Sequence, residues 1–138
     1  GFIVWRFRRG GMHDTWTVVI YVNHGWGGGD LAGGVALKLE RVMDRFDADV
    51  YLLGHHHRIQ SIVQSRPLRV NAGLHLEQPP DRVGAVCGTF LSGRLENVQT
   101  YPETRGYRPT ARNGMAIVQI VPDKRRIELV ERVAHDME

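Results

Sequence analysis

Ala48-Asp49-Val50-Tyr51-Leu52-Leu53-Gly54-His55-His56-His57 is the stretch that decides the fold of this chain. Residues 50–53 are apolar at successive positions, as expected of a short strand buried on both faces. Gly54 ends that run and sets His55 and His57 at i, i+2 on the turn leaving it, where backbone hydrogen bonding fixes their spacing and direction. A second apolar strand, residues 15–22 with its unbroken Val18-Val19-Ile20-Tyr21-Val22, ends in Asn23-His24-Gly25. Two buried strands that each deliver histidine at the carboxyl end bring three imidazoles to one edge of a sheet. Open α/β sheets place their chemistry at that edge.

Between these strands lies a helical pattern. Gly27-Gly28-Gly29 follows the strand at 15–22, and Asp30 is placed to cap a helix reaching about Arg45. Val35, Leu39, Val42, Met43 and Phe46 share one face, while Lys38, Glu40, Arg41, Asp44 and Arg45 point outward. Strand, helix and strand with a connection of this length predict a parallel, right-handed βαβ unit. Residues 1–7 read as a further strand, joined to the next through the turn Arg9-Gly10-Gly11-Met12-His13-Asp14. Beyond His57 come short strands at 59–63, 68–71 and 85–89, with Gln78-Pro79-Pro80-Asp81 as a loop. Residues 91–113 read as a long irregular segment, a kind of loop that is commonly functional or disordered. A hairpin closes the chain, 115–121 and 127–133 around Pro122-Asp123-Lys124. The predicted class is α/β: one domain over 1–138, with one βαβ unit, then short strands and a C-terminal hairpin.

A chain of 138 residues, 42% hydrophobic and 24% charged, suits one globular domain with a workable core. Cys87 is the single cysteine, so no internal disulfide forms and any metal is held by nitrogen and oxygen ligands. A cytoplasmic setting is expected. No apolar run reaches the roughly 18 residues of a membrane span. The chain opens on Gly1 rather than Met, so the natural start is expected upstream or behind a cleaved tag. A net charge of +3, from 18 Lys+Arg against 15 Asp+Glu, is too small to diagnose nucleic-acid binding, though it permits a phosphate-bearing substrate. The clusters Arg6-Arg8-Arg9, Arg105-Arg108-Arg112 and Lys124-Arg125-Arg126 read as solvated surface. Phosphate contact is the alternative for the middle one, which lies in a Gly/Pro-containing loop.

Neutral imidazole suits zinc, manganese, iron or nickel, and a ligating ring needs a partner on its other nitrogen. Asp49, Asn71 and backbone carbonyls are the candidates for that support. A polar turn without a role is the competing reading of His55-His56-His57. The preceding Gly54, the buried strand before it and the second strand-terminal His-Gly favour metal. His56 is expected to point away from the ligands. His13 and His75 read as structural and His135 as part of an exposed charged tail, while Trp26 either lines a pocket or packs. Gly27-Gly28-Gly29 offers free N–H groups to a phosphate at the helix start.

Val22-Asn23-His24-Gly25 behind a strand, followed by Asp49-Val50-Tyr51-Leu52-Leu53-Gly54-His55-His56-His57, resembles the last two metal motifs of the calcineurin-like metallophosphoesterases, His-Gly and Gly-His-x-His. Downstream, Cys87-Gly88-Thr89-Phe90-Leu91, the run from Tyr101-Pro102-Glu103 to Gly106-Tyr107-Arg108-Pro109, and Gly114 resemble phage and prophage members of that family. The resemblance spans most of the chain. It implies the C-terminal portion of a two-sheet αββα sandwich, hydrolysis of phosphomonoesters or phosphodiesters, and two divalent ions (Mn, Fe, Zn or Ni). His24 and His55 would bind one ion and His57 the other. In such enzymes the metals activate the attacking oxygen and stabilise charge on the phosphoryl group. By charge, Arg58 and Arg105 are candidates for substrate phosphate. The phage likeness tilts the substrate toward a nucleotide or nucleic acid.

The family pattern also requires Asp-x-His, Gly-Asp and Gly-Asn-His, which supply the bridging carboxylate and the catalytic histidine, and this sequence carries none of them in place. The chain is therefore expected to be the C-terminal part of a larger enzyme, inactive by itself and weak in metal binding. An uncovered apolar sheet face and self-association as a homo-oligomer are expected with it. The alternative is a non-catalytic relative that binds a metal or a partner. Fold-level likeness does not choose among substrates.

Overall fold

In a computed structural model, residues 1–8, 10, 14–27, 31–89, 96–105 and 114–133 are described. Among them the order of elements is β1 (Phe2–Arg8), β2 (Thr15–Asn23), α1 (Ala32–Arg45), β3 (Val50–Leu53), β4 (Gln60–Gln64), β5 (Arg69–Val70), β6 (Leu76–Glu77), β7 (Arg82–Val86), α2 (Tyr101–Thr104), β8 (Gly114–Val121) and β9 (Arg126–Val133). Five strands make one mixed sheet in the order β1-β2-β3-β7-β4. Its centre, β2, β3 and β7, is parallel, and the edge strands β1 and β4 run antiparallel to their neighbours. The predicted βαβ unit is present, since α1 links β2 to its parallel neighbour β3.

The unbroken apolar runs follow from coverage of both sheet faces. On one face α1 packs Val35, Leu39, Val42 and Met43 against Tyr21, Tyr51, Leu53 and Val86. On the other, Val18, Ile20, Val50 and Val83 meet Val118, Ile120, Ile127 and Leu129 of the β8–β9 hairpin. That hairpin turns at Pro122–Lys124, as its sequence predicts, and Arg125 completes the turn in the left-handed region. The layers are therefore helix, sheet and hairpin. Tyr51 is fully buried, and its hydroxyl accepts from the Ala48 N–H at 2.9 Å and donates to the Phe46 carbonyl at 2.6 Å, which sets where the helix hands over to β3. Among the described residues no helix is long and apolar enough to cross a membrane.

Several boundaries differ from expectation for local reasons. Helix α1 begins at Ala32 with Leu31 in the cap position and no side-chain cap, and Asp30 lies outside the described residues. The strand expected at 85–89 is β7, Arg82–Val86. Its Gly84 explains the offset. A Cβ there would stand 2.7 Å from Met43 Sδ and 3.0 Å from Leu39 Cδ1, so the strand runs directly beneath α1 where only glycine fits. The strand expected at 68–71 is shorter and pairs with β6 in a small hairpin. Within the segment expected to be irregular, α2 is opened by a capping arrangement in which the Thr100 N–H and hydroxyl both donate to Glu103, at 2.8 and 3.0 Å.

Asp49 is not a supporting group for the histidines. It lies at the amino end of β3, where Oδ2 accepts from the Val19 N–H at 2.7 Å and Oδ1 accepts from Arg66, which also donates to the Ala48 carbonyl at 2.7 Å. This network ties the opposite end of the sheet. Asn71 is likewise engaged elsewhere, its Oδ1 accepting from the Gly73 and His75 N–H groups in the β5–β6 turn. At the centre of the sheet the apolar face expected to be uncovered is covered, by α1 on one side and the β8–β9 hairpin on the other; one sheet edge is left apolar instead, Phe2, Ile3, Val4 and Trp5 of β1 all being about half exposed.

Candidate metal centre

The carboxyl ends of β2 and β3 approach closely because two glycines allow it. Gly25 has φ +91°, and a Cβ there would stand 2.9 Å from the Gly54 carbonyl oxygen and 3.1 Å from His55 Cβ. A Cβ on Gly54 would stand 3.2 Å from the His24 carbonyl oxygen. The ladder continues past the strands, the Gly54 N–H donating to Asn23 O at 3.2 Å. Asn23 shapes the exit from β2: its Oδ1 accepts from the Gly25 N–H at 2.8 Å, and its amide donates to the Tyr21 hydroxyl at 3.2 Å.

These backbones set His24 and His55 ring to ring, with centroids 5.2 Å apart and edge to face. His24 Nε2 and His55 Nδ1 are 3.4 Å apart, and both side chains are open to solvent. On its far side His55 Nε2 lies 3.0 Å from the Gly27 carbonyl, which only accepts. The proton of neutral His55 is therefore assigned to Nε2, and Nδ1 carries the lone pair facing His24. A carbonyl on the distal nitrogen is the usual support of a ligating imidazole. Two nitrogens bound to one zinc at about 2.0–2.1 Å in tetrahedral geometry stand about 3.3–3.4 Å apart. The pair is spaced to fit that edge, and its donor set suits a borderline cation.

His57 is exposed and does not complete the pair. Among the described residues no group of three or more His, Cys, Asp or Glu side chains is placed to share one ion. His55 and His57 both have positive φ, 72° and 49°, with the His56 N–H closing onto Gly54 O at 2.9 Å. Two left-handed histidines in three residues are a strained arrangement for side chains with a Cβ. Replacing His57 with glycine is expected to raise the unfolding free energy by about 0.5–1 kcal/mol, relief of left-handed strain exceeding the added chain entropy. A urea-midpoint comparison checks this, and a drop in stability would mean that the imidazole makes compensating contacts.

His56 is half-buried and turned toward α1, its Nε2 lying 3.5 Å from Lys38 Nζ. Burial above all, then the Lys38 ammonium, with further pushes from His55, Arg58 and His57, holds its pKa below the ordinary imidazole value. Cys87 follows β7 on the same sheet edge, its N–H donating to Leu53 O at 2.6 Å, and burial pushes its thiol up, away from the thiolate form a metal would need. Trp26 is exposed and contributes its carbonyl, which accepts from Lys38 at 3.1 Å. Arg58 is half-buried beside the histidine turn, and Arg105 is exposed after α2. His75 is exposed in the β5–β6 turn. His13, His135, Arg108, Arg112 and residues 28–29 of the glycine run lie outside the described residues.

Sequence reasoning singled out His24, His55 and His57 as ligands, with Asp49, Asn71 and backbone carbonyls as supports; the structure brings His24 and His55 together with Gly27 O and leaves His57, Asp49 and Asn71 outside the pair. It missed Asn23 and Lys38. The Asn-x-Gly spacing of Asn23 and Gly25 is a turn signal that was available. Compared with protein-family models, curated proteins and solved structures, the chain matches none.

Proposed function

We propose that this chain contributes histidine ligands to a metal-dependent phosphoesterase that hydrolyses phosphomonoester or phosphodiester bonds. One observation carries the reading: His24 and His55 face each other at ligand spacing on the carboxyl edge of parallel strands, with His55 Nε2 against the Gly27 carbonyl on the side away from the gap. His24 Nε2 and His55 Nδ1 would hold one divalent ion (Mn, Fe, Zn or Ni), and His57 would serve a second. Bound there, such ions supply water activation and charge stabilisation at phosphorus. The chain's own residues orient the rings through Gly27 O and Asn23. Lys38 and Arg58 lend positive potential beside them, suited to an anionic substrate such as a nucleotide or nucleic-acid phosphate. On this reading the helix, sheet and hairpin are part of a two-sheet αββα sandwich in a cytoplasmic enzyme.

The test is hydrolysis of bis-p-nitrophenyl phosphate by the natural reading frame that contains this chain. The expected result is manganese-dependent turnover that falls at least about 100-fold in His55→Ala, while the 138-residue chain alone turns over nothing appreciable. Equal rates in wild type and His55→Ala would overturn it.

The second reading is a non-catalytic metal- or partner-binding relative. It is favoured by the absence, among the described residues, of a carboxylate joining the histidines, and by the exposed apolar β1 edge, which suits pairing with another strand or a second copy.

A further inference from the structure

Lys38 leaves α1 half-buried and bridges the two loops that carry the histidines. Its Nζ donates to Trp26 O at 3.1 Å, in the loop after β2, and reaches His56 Nε2 at 3.5 Å, in the loop after β3. The residue following Trp26 is Gly27, left-handed at φ +73°, whose carbonyl is the acceptor for His55 Nε2. A Cβ on Gly27 would stand 3.5 Å from Lys38 Nζ, so the cation lies against that residue's backbone. Glycine has the freedom to turn its carbonyl elsewhere unless something restrains it. The cation restrains it from one side and holds the histidine turn from the other.

We propose that Lys38 is a positioning residue for the histidine pair: by pinning the Trp26-Gly27 backbone and His56 together, it keeps the Gly27 carbonyl on His55 Nε2 and so keeps His55 Nδ1 facing His24. The contacts that carry the role are to Trp26 O and His56 Nε2, not to a ligand nitrogen. Lys38 acts through Gly27 and the turn. Its functional meaning rests on the metal reading above, whereas its structural consequence exists without any metal.

The experiment compares wild type, Lys38→Met, Lys38→Gln and Lys38→Arg in the full chain. Ring-to-ring nuclear Overhauser contacts between His24 and His55 are measured in metal-free protein, cobalt(II) is then titrated, and thermal midpoints are recorded. Lys38→Met and Lys38→Gln are expected to lose the ring contacts and to weaken cobalt binding by about 10-fold, with little change in midpoint. Lys38→Arg keeps a cationic donor and is expected to retain both. Ring contacts that persist unchanged in Lys38→Met and Lys38→Gln would overturn the proposal. Loss of contacts in those variants, together with a wild type that binds no cobalt, would support the positioning role and bring down the metal reading instead.

Discussion

Leu39→Ala is expected to lower the unfolding free energy by about 2–5 kcal/mol, through lost transfer energy and the cavity it leaves. Leu39 is 0% exposed at the centre of the α1 face, packed against the sheet where Gly84 runs beneath the helix. Gly84→Ala alone should cost about 1–3 kcal/mol, because its methyl would overlap Met43 Sδ and crowd Leu39. In the double variant the methyl enters space that the shortened side chain has vacated. The double variant should therefore lose less than the sum of the two single losses, by about 1 kcal/mol or more, read from denaturant unfolding of all four proteins. Strict additivity would mean that α1 does not sit on β7 as described.

His55→Ala is expected to weaken binding of cobalt or zinc by more than about 100-fold, beyond what loss of a supporting group costs. His24→Ala should do the same, and the double variant should add little, because either ring alone leaves a single ligand. His57→Ala should leave the affinity of the His24–His55 ion nearly intact, since His57 stands apart from the pair. Calorimetric titration of the four variants checks this. Unchanged affinity in His55→Ala would detach the pair from metal binding and leave a hydrogen-bonded contact between two loops.

Much of this was legible from residue order. The unbroken Val18–Val22 and Val50–Leu53 runs announce strands covered on both faces, and the spacing of Val35, Leu39, Val42 and Met43 announces the helix that covers one of them. What failed depended on tertiary context. Gly84 fell outside the strand expected at 85–89 and is a strand residue, lying where α1 leaves no room for a side chain. The Thr100-x-x-Glu103 capping signal was present but sat in a segment with no apolar periodicity, interrupted by Pro102, Gly106 and Pro109. Asp49 precedes the histidine strand by chain order but lies at its other end, so proximity in sequence misassigned it to the site. The support of His55 comes instead from the Gly27 carbonyl, and nothing in a glycine's side chain announces that. Lys38 looks like one more solvated helix charge until the two loops are seen to converge on it.

The most direct measurement is an anomalous difference map at the zinc edge from crystals of this chain soaked in zinc. The account predicts a peak about 2.0–2.1 Å from both His24 Nε2 and His55 Nδ1, with His55 Nε2 still donating to Gly27 O. Zinc found only at other surface groups, with the two rings still in direct contact, would contradict it.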